Sequence, residues 1–259
     1  SPSEFRAEPR CSHYRRCGGC SFQHVDYEYE KALKRSFVQD CFRKAGLSEV
    51  EVLPVLSTNR VSAYRNKGQF PVSLSEDGGV ISGFFAPKTH RVCKIDHCDI
   101  QDPLFSDITS FLCDYFTKNK IAPYNEEDHS GLLRHIYLRS AKVTSEIMLC
   151  LILREDSFPE EAHFAETVTK RFPEIKSISF NIQSEKNNVI LGKKHRHIWG
   201  EEKICDFLCE KKLMISPMSF YQVNHDATEI LYKKAFEMAD LQKFDLLVDL
   251  YCGIGSISL

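Results

Sequence analysis

Three cysteines fall within ten residues near the start of the chain: Cys11, Cys17 and Cys20, with Gly18 and Gly19 between the last two. A CxxC turn lets two sulfurs face one centre, and glycines there admit left-handed backbone and bare N–H groups that stabilise thiolate charge. Three thiolates want a fourth donor. Cys98 is the best candidate, in the run HRVCKIDHCDIQ over 90–101; Cys93 competes, and His13 and His24 lie close enough to serve. Zinc accepts four thiolates, or three with a histidine. Iron–sulfur clusters are also held by four thiolates, commonly three clustered in sequence and one remote. The spacing predicts metal ligation, with a cluster preferred to zinc and inert buried thiols as the bland alternative.

Cys41, Cys113 and Cys150 fall in apolar periodic stretches and read as small buried hydrophobes. Cys205 and Cys209 have no further ligand nearby and read as core or surface thiols. The cysteine count is eleven, and the polar opening SPSEFRAEPR has no apolar signal region. That combination argues against a disulfide framework and predicts a soluble, cytoplasmic protein. The formal charge of -2 requires any nucleic-acid contact to be a local basic patch.

Helices are predicted over 26–44, 103–120, 159–171 and 227–239. In the first, Asp26 caps, Gly46 stops, and Tyr29, Leu33, Phe37 and Cys41 form an apolar face. Strands are predicted over 64–74, 80–85, 135–143, 146–153, 177–182 and 188–191, with Glu76 to Gly79 as a hairpin turn. The fold class is therefore α+β, rich in antiparallel sheet. The final segment reads differently: 244–250 is a near-continuous apolar strand running into Cys252-Gly253-Ile254-Gly255-Ser256. Such a strand and glycine turn open a doubly wound nucleotide-binding sheet. With no later strand to pair with it, the chain is expected to be a fragment.

Taken together, the blocks Cys11-x5-CGGC-SFQH, HRVCKIDHCDIQ, SPMSFYQVNH over 216–225 and VDLYCGIGSISL over 248–259 resemble the bacterial 5-methyluridine RNA methyltransferases, especially the iron–sulfur ribosomal branch. YRNKGQFPV over 64–72 and LRHIYLRS over 133–140 extend the resemblance to nearly the whole chain.

The resemblance implies a [4Fe-4S] cluster on Cys11, Cys17, Cys20 and Cys98, and S-adenosylmethionine beside Gln222, Tyr251, Gly253, Gly255 and Ser256. Tyr251 stands where the family usually has Phe, and Ser256 where it often has Asn. The implied architecture is a central cluster-bearing, RNA-contacting domain over 1–22 and 56–219. The start of a Rossmann-like catalytic domain then occupies 23–55 and 220–259, with an oligonucleotide-binding TRAM domain, where present, upstream. The implied substrate is uridine in 23S ribosomal RNA, methylated at C5 through a cysteine adduct at C6. The nucleophile and base are expected beyond Leu259, leaving this chain without turnover; Cys252, on the cofactor side of the first strand, is not taken as the nucleophile.

RNA contacts are expected from Arg65, Lys67, Arg134, His135 and Arg139, and Phe220 and Tyr221 are candidates for an aromatic base pocket. The alternatives are a transfer-RNA enzyme of the same family and a non-catalytic, metal-stabilised RNA-binding module.

Overall fold

The computed structural model describes residues 3–258. The first helix, α1 (Tyr27–Lys44), begins where Asp26 accepts a hydrogen bond from the Tyr29 N–H and ends before Gly46, whose φ is positive. The expected apolar face points outward: Leu33 and Cys41 are exposed and Phe37 is 71% exposed. Polar groups attach the helix instead. Arg35 donates to the Val52 carbonyl, and Gln39 exchanges two hydrogen bonds with Val50 and Val52.

Seven strands follow: β1 (Lys67–Leu74), β2 (Val80–Phe85), β3 (Val92–Lys94), β4 (Leu133–Ser140), β5 (Ile147–Leu153), β6 (Ile175–Ile182) and β7 (Lys194–Gly200). They form one sheet in the order β3-β2-β1-β4-β5-β6-β7. Helix α2 (Pro103–Lys118) connects β3 to β4, and α3 (Glu161–Arg171) connects β5 to β6. That second connection makes β5 and β6 parallel, the one parallel pair among the described strands of a sheet that is otherwise antiparallel, as expected. A crossover helix is what a parallel pair requires.

The two helices cover one face of the sheet. Phe105, Ile108, Leu112 and Phe116 of α2 and Phe164 and Val168 of α3 pack with Phe70, Ile136, Leu149 and Phe180 of the strands. Phe70 thus fills the core. Burying each such side chain contributes about 1.5–3 kcal/mol. The sequence of β5, IMLCLIL, is apolar without alternation because both its faces are buried. On the other face, Tyr137, Cys150 and Ile152 pack against Ile190 and Leu191. Residues 188–191 are thus a covering loop, not a strand. Its end is fixed by Asn181, whose side chain bonds both the N–H and the carbonyl of Gly192.

A hairpin of β8 (Ile204–Leu208) and β9 (Lys211–Ile215) completes that face, packing with Met148, Tyr221 and Tyr232. Strands β7, β8 and β9 were not expected: charged residues such as those of KHRHIWG mask their alternation. Helix α4 (His225–Ala239) is capped by Asn224. Beyond it, 244–250 forms no strand, and Leu246 is 89% exposed. No described strand lies alongside to satisfy its backbone, and an isolated strand does not hold. The architecture is a mixed α/β fold around a seven-stranded sheet, and among the described residues no second, Rossmann-like sheet begins.

Candidate functional site

Strand pairing brings the first set of candidate residues together. In β1 and β4, Lys67 lies opposite Arg139, Gln69 opposite Tyr137, and Pro71 opposite His135. Alternation puts all six on the face away from α2 and α3. The cysteine-rich loop of residues 11–23 lies across one end of this face. A cavity of about 320 Å³ between loop and sheet is lined by Cys11, Cys17, Cys20 and Cys98, with Arg65 and Lys67 among the sheet-side residues. The three clustered thiols and the remote one therefore share a single cavity.

Local contacts set the loop. The Gly18 N–H bonds the Phe85 carbonyl at 3.0 Å, docking the CxxC turn on β2. Neither Gly18 nor Gly19 has positive φ, so conformational freedom is not why glycine occurs here. Close approach is: a Cβ on Gly18 would stand 2.9 Å from the Phe85 oxygen. Donors also reach the sulfurs. The Gly19 N–H points at Cys17 Sγ at 3.3 Å, and the Gln23 amide at Cys20 Sγ at 3.4 Å. Burial first, and then neighbouring thiols, raises the pKa of Cys17, Cys20 and Cys98 above the ordinary thiol value.

Cys93 is buried beside them but does not line the cavity. The donor set is soft, with no carboxylate on the wall, which suits zinc or iron–sulfur chemistry and not calcium or magnesium. Among the described residues, no three His, Cys, Asp or Glu side chains converge closely enough to hold one metal ion.

The five expected RNA-contacting residues divide. Arg65 and Lys67 line the cavity, and burial, then Arg139 and Arg65, lower the Lys67 pKa. His135 lines it too, but burial, reinforced by Arg134, lowers its value to about 4, so it is a neutral ring at pH 7. Arg134 and Arg139 are buried structural clamps, which corrects the expectation that they face RNA. Arg134 donates to the carbonyls of Gln183, Glu185 and Asn187. Arg139 donates to those of Ser216 and Ser219.

Residues 65 and 66 connect this site to the second group of candidates, a role that their sequence did not signal. The Arg65 N–H bonds the Ile100 carbonyl, two residues past Cys98, while the Asn66 N–H bonds Val223 and its side chain bonds the Gln222 carbonyl, each at 2.9 Å. At Gly253 and Gly255 the backbone takes positive φ, as a glycine-rich turn demands. Ile254 packs against the cluster that contains Tyr221 and Tyr232, and Ser256 Oγ lies 3.0 Å from Tyr232 Oη. Gln222 is thus next in sequence to a member of the cluster that meets the turn, whereas the Tyr251 side chain is fully exposed. Of the two aromatic candidates, Phe220 is 69% exposed and Tyr221 is buried, so only Phe220 can meet a base. Leu259, the end of the glycine-rich block, lies outside the described residues.

Comparison with known proteins shows what the chain is similar to. The chain is 39% identical over 259 residues to a protein of Clostridium tetani named as an uncharacterized RNA methyltransferase, covering 100% of this chain and 56% of that protein. It is 40% identical over 259 residues to one of the same name from Oceanobacillus iheyensis, covering 99% and 56%.

Among solved structures, it resembles the Pyrococcus abyssi tRNA (uracil-54, C5)-methyltransferase in complex with S-adenosyl-L-homocysteine. The TM-score is 0.75 and the identity 26%, over 99% of this chain and 56% of that one. No family model matches. Over its whole length the chain is therefore related to RNA methyltransferases and shares the fold of a uracil-C5 enzyme, while spanning 56% of these relatives' lengths. No helix among the described residues is long and apolar enough to cross a membrane.

Proposed function

We propose that this chain is the RNA-binding and cluster-binding portion of an S-adenosylmethionine-dependent methyltransferase that acts on uridine C5 in 23S ribosomal RNA. The observation that carries the reading is the shared cavity, in which four thiols stand over Arg65 and Lys67. The proposed ligand set is Cys11, Cys17, Cys20 and Cys98, holding a [4Fe-4S] cluster. What supports the set is the surroundings of its thiols: N–H donors reach the sulfurs, as they do around iron–sulfur centres.

The cluster would supply a cross-link between the loop and the β3–α2 connection. Methyl transfer by this route needs no electron. Uridine C5 is a poor nucleophile until a cysteine thiolate adds to C6; C5 then takes the sulfonium methyl, a base removes the C5 proton, and the thiolate leaves. Gln222, Gly253, Gly255, Ser256 and Tyr251 are the proposed cofactor contacts. Domains divide as 1–22 with 56–219, and 23–55 with 220–259.

Transfer RNA is the second reading, favoured by the substrate in the structural neighbour's name. Protein purified without oxygen should be brown and contain about four irons and four sulfides per chain, both lost in Cys17→Ser. Stoichiometric zinc without iron would defeat the cluster assignment. Competition between 23S ribosomal RNA fragments and transfer RNA then separates the two substrate readings.

A further inference from the structure

A second cavity, of about 500 Å³, opens beside the thiol cavity and shares Pro71, Phe85 and His135 with it as walls. The two differ in chemistry. The inner cavity carries Arg65 and Lys67 and no carboxylate. The outer one carries a stacked pair, Phe85 and His90, with ring centroids 5.4 Å apart and planes at 28°. It also carries Glu126 and Glu127, with Arg91 and Arg134 on the same wall. His90 is exposed, and its Nδ1 lies 2.8 Å from Glu126 Oε2.

Phosphate is drawn to the inner cations, where no carboxylate opposes it, whereas at the outer end Glu126 and Glu127 offset Arg91 and Arg134. A base has the opposite preference at the outer end: its face stacks on an aromatic ring, and its amino group donates to a carboxylate. Uracil has no amino group, so the target uridine is not the base that fits there. We propose that the outer cavity is a stacking pocket for one unpaired adenine, cytosine or guanine neighbouring the target, its backbone held over Arg65 and Lys67. The inference rests on the RNA-binding reading and extends it: the pocket selects which single-stranded segment is presented.

Fluorescence anisotropy of the chain with short single-stranded oligoadenylate, oligocytidylate and oligouridylate tests it. The expected result is tighter binding of the amino-bearing oligomers, weakened about five-fold or more by His90→Ala, with oligouridylate barely affected. Glu126→Gln with Glu127→Gln should keep overall affinity and erase the preference. All three positions are exposed, and circular dichroism checks that the variants fold. Equal affinity of the parent for oligouridylate, equal affinity for duplex RNA, or an unchanged His90→Ala would each overturn the pocket. A parent that binds no RNA at low salt would instead remove the RNA-binding reading, and the pocket with it.

Discussion

Tyr221 donates its phenolic hydrogen to the buried carboxylate of Asp206 across 3.0 Å. The same carboxylate accepts the N–H groups of Lys142 and Val143, each at 2.9 Å. One acid thereby joins β8, the turn after β4 and the loop that carries Gln222. Burial and then the Asp206 charge raise the Tyr221 pKa, so the phenol remains a donor.

Removing the two ends of this bond should have unequal effects. Tyr221→Phe deletes one hydrogen bond and should cost about 1 kcal/mol. Asp206→Ala strands the phenol and two backbone donors in the interior and should cost about 3 kcal/mol or more. Urea denaturation measures both; equal losses would show that Asp206 is not the hub.

Cluster retention should depend on ligands and on the approach of the loop to β2. Cys98→Ser is expected to lose iron, whereas Cys41→Ser, on the exposed face of α1, should retain it. Gly18→Ala should also lower iron content, because its methyl group meets the Phe85 carbonyl. Iron and sulfide assays on the three variants decide; full iron in Gly18→Ala would show that the loop can shift.

Cations on the cavity wall and cations in the core should respond differently to salt. Replacing Arg65 and Lys67 together should lower the slope of log affinity against log salt by about 1.5. Arg134→Ala and Arg139→Ala should reduce thermal stability by freeing carbonyls, with the slope unchanged. A slope that falls for Arg139→Ala would return that residue to the interface.

His135 should make stability depend on pH. Its folded value, about 4, lies below the ordinary 6.5. The unfolded chain therefore binds the proton first as pH falls. Stability from this group is complete above about 6.5 and is lost progressively down to about 4. Denaturant midpoints from pH 7 to 4 measure the loss, which His135→Gln should reduce.

Local chemistry accounts for what could be read without coordinates. The cap at Asp26, the turn at Gly78 and Gly79, and the helix periodicity of 103–118 depend on neighbours within a few residues, so α1, β1–β2 and α2 were legible. The thiol spacing was legible too, since a chelating turn is short. Strands β7 to β9 were hidden because edge and hairpin strands carry charges on their open side. Residues 188–191 looked like a strand because an apolar covering loop has the same composition.

From the sequence alone came the thiol group, the order of blocks and the kinship those blocks express. Tertiary structure decided which charges remain available. LRHIYLRS reads as a cationic strand, yet packing buries Arg134 and Arg139 and turns their guanidinium groups to main-chain carbonyls and to the rings of Tyr124 and Tyr137. Charge is a property of a residue, but availability is a property of what is packed against it, and that is settled by segments up to 80 residues away in the chain.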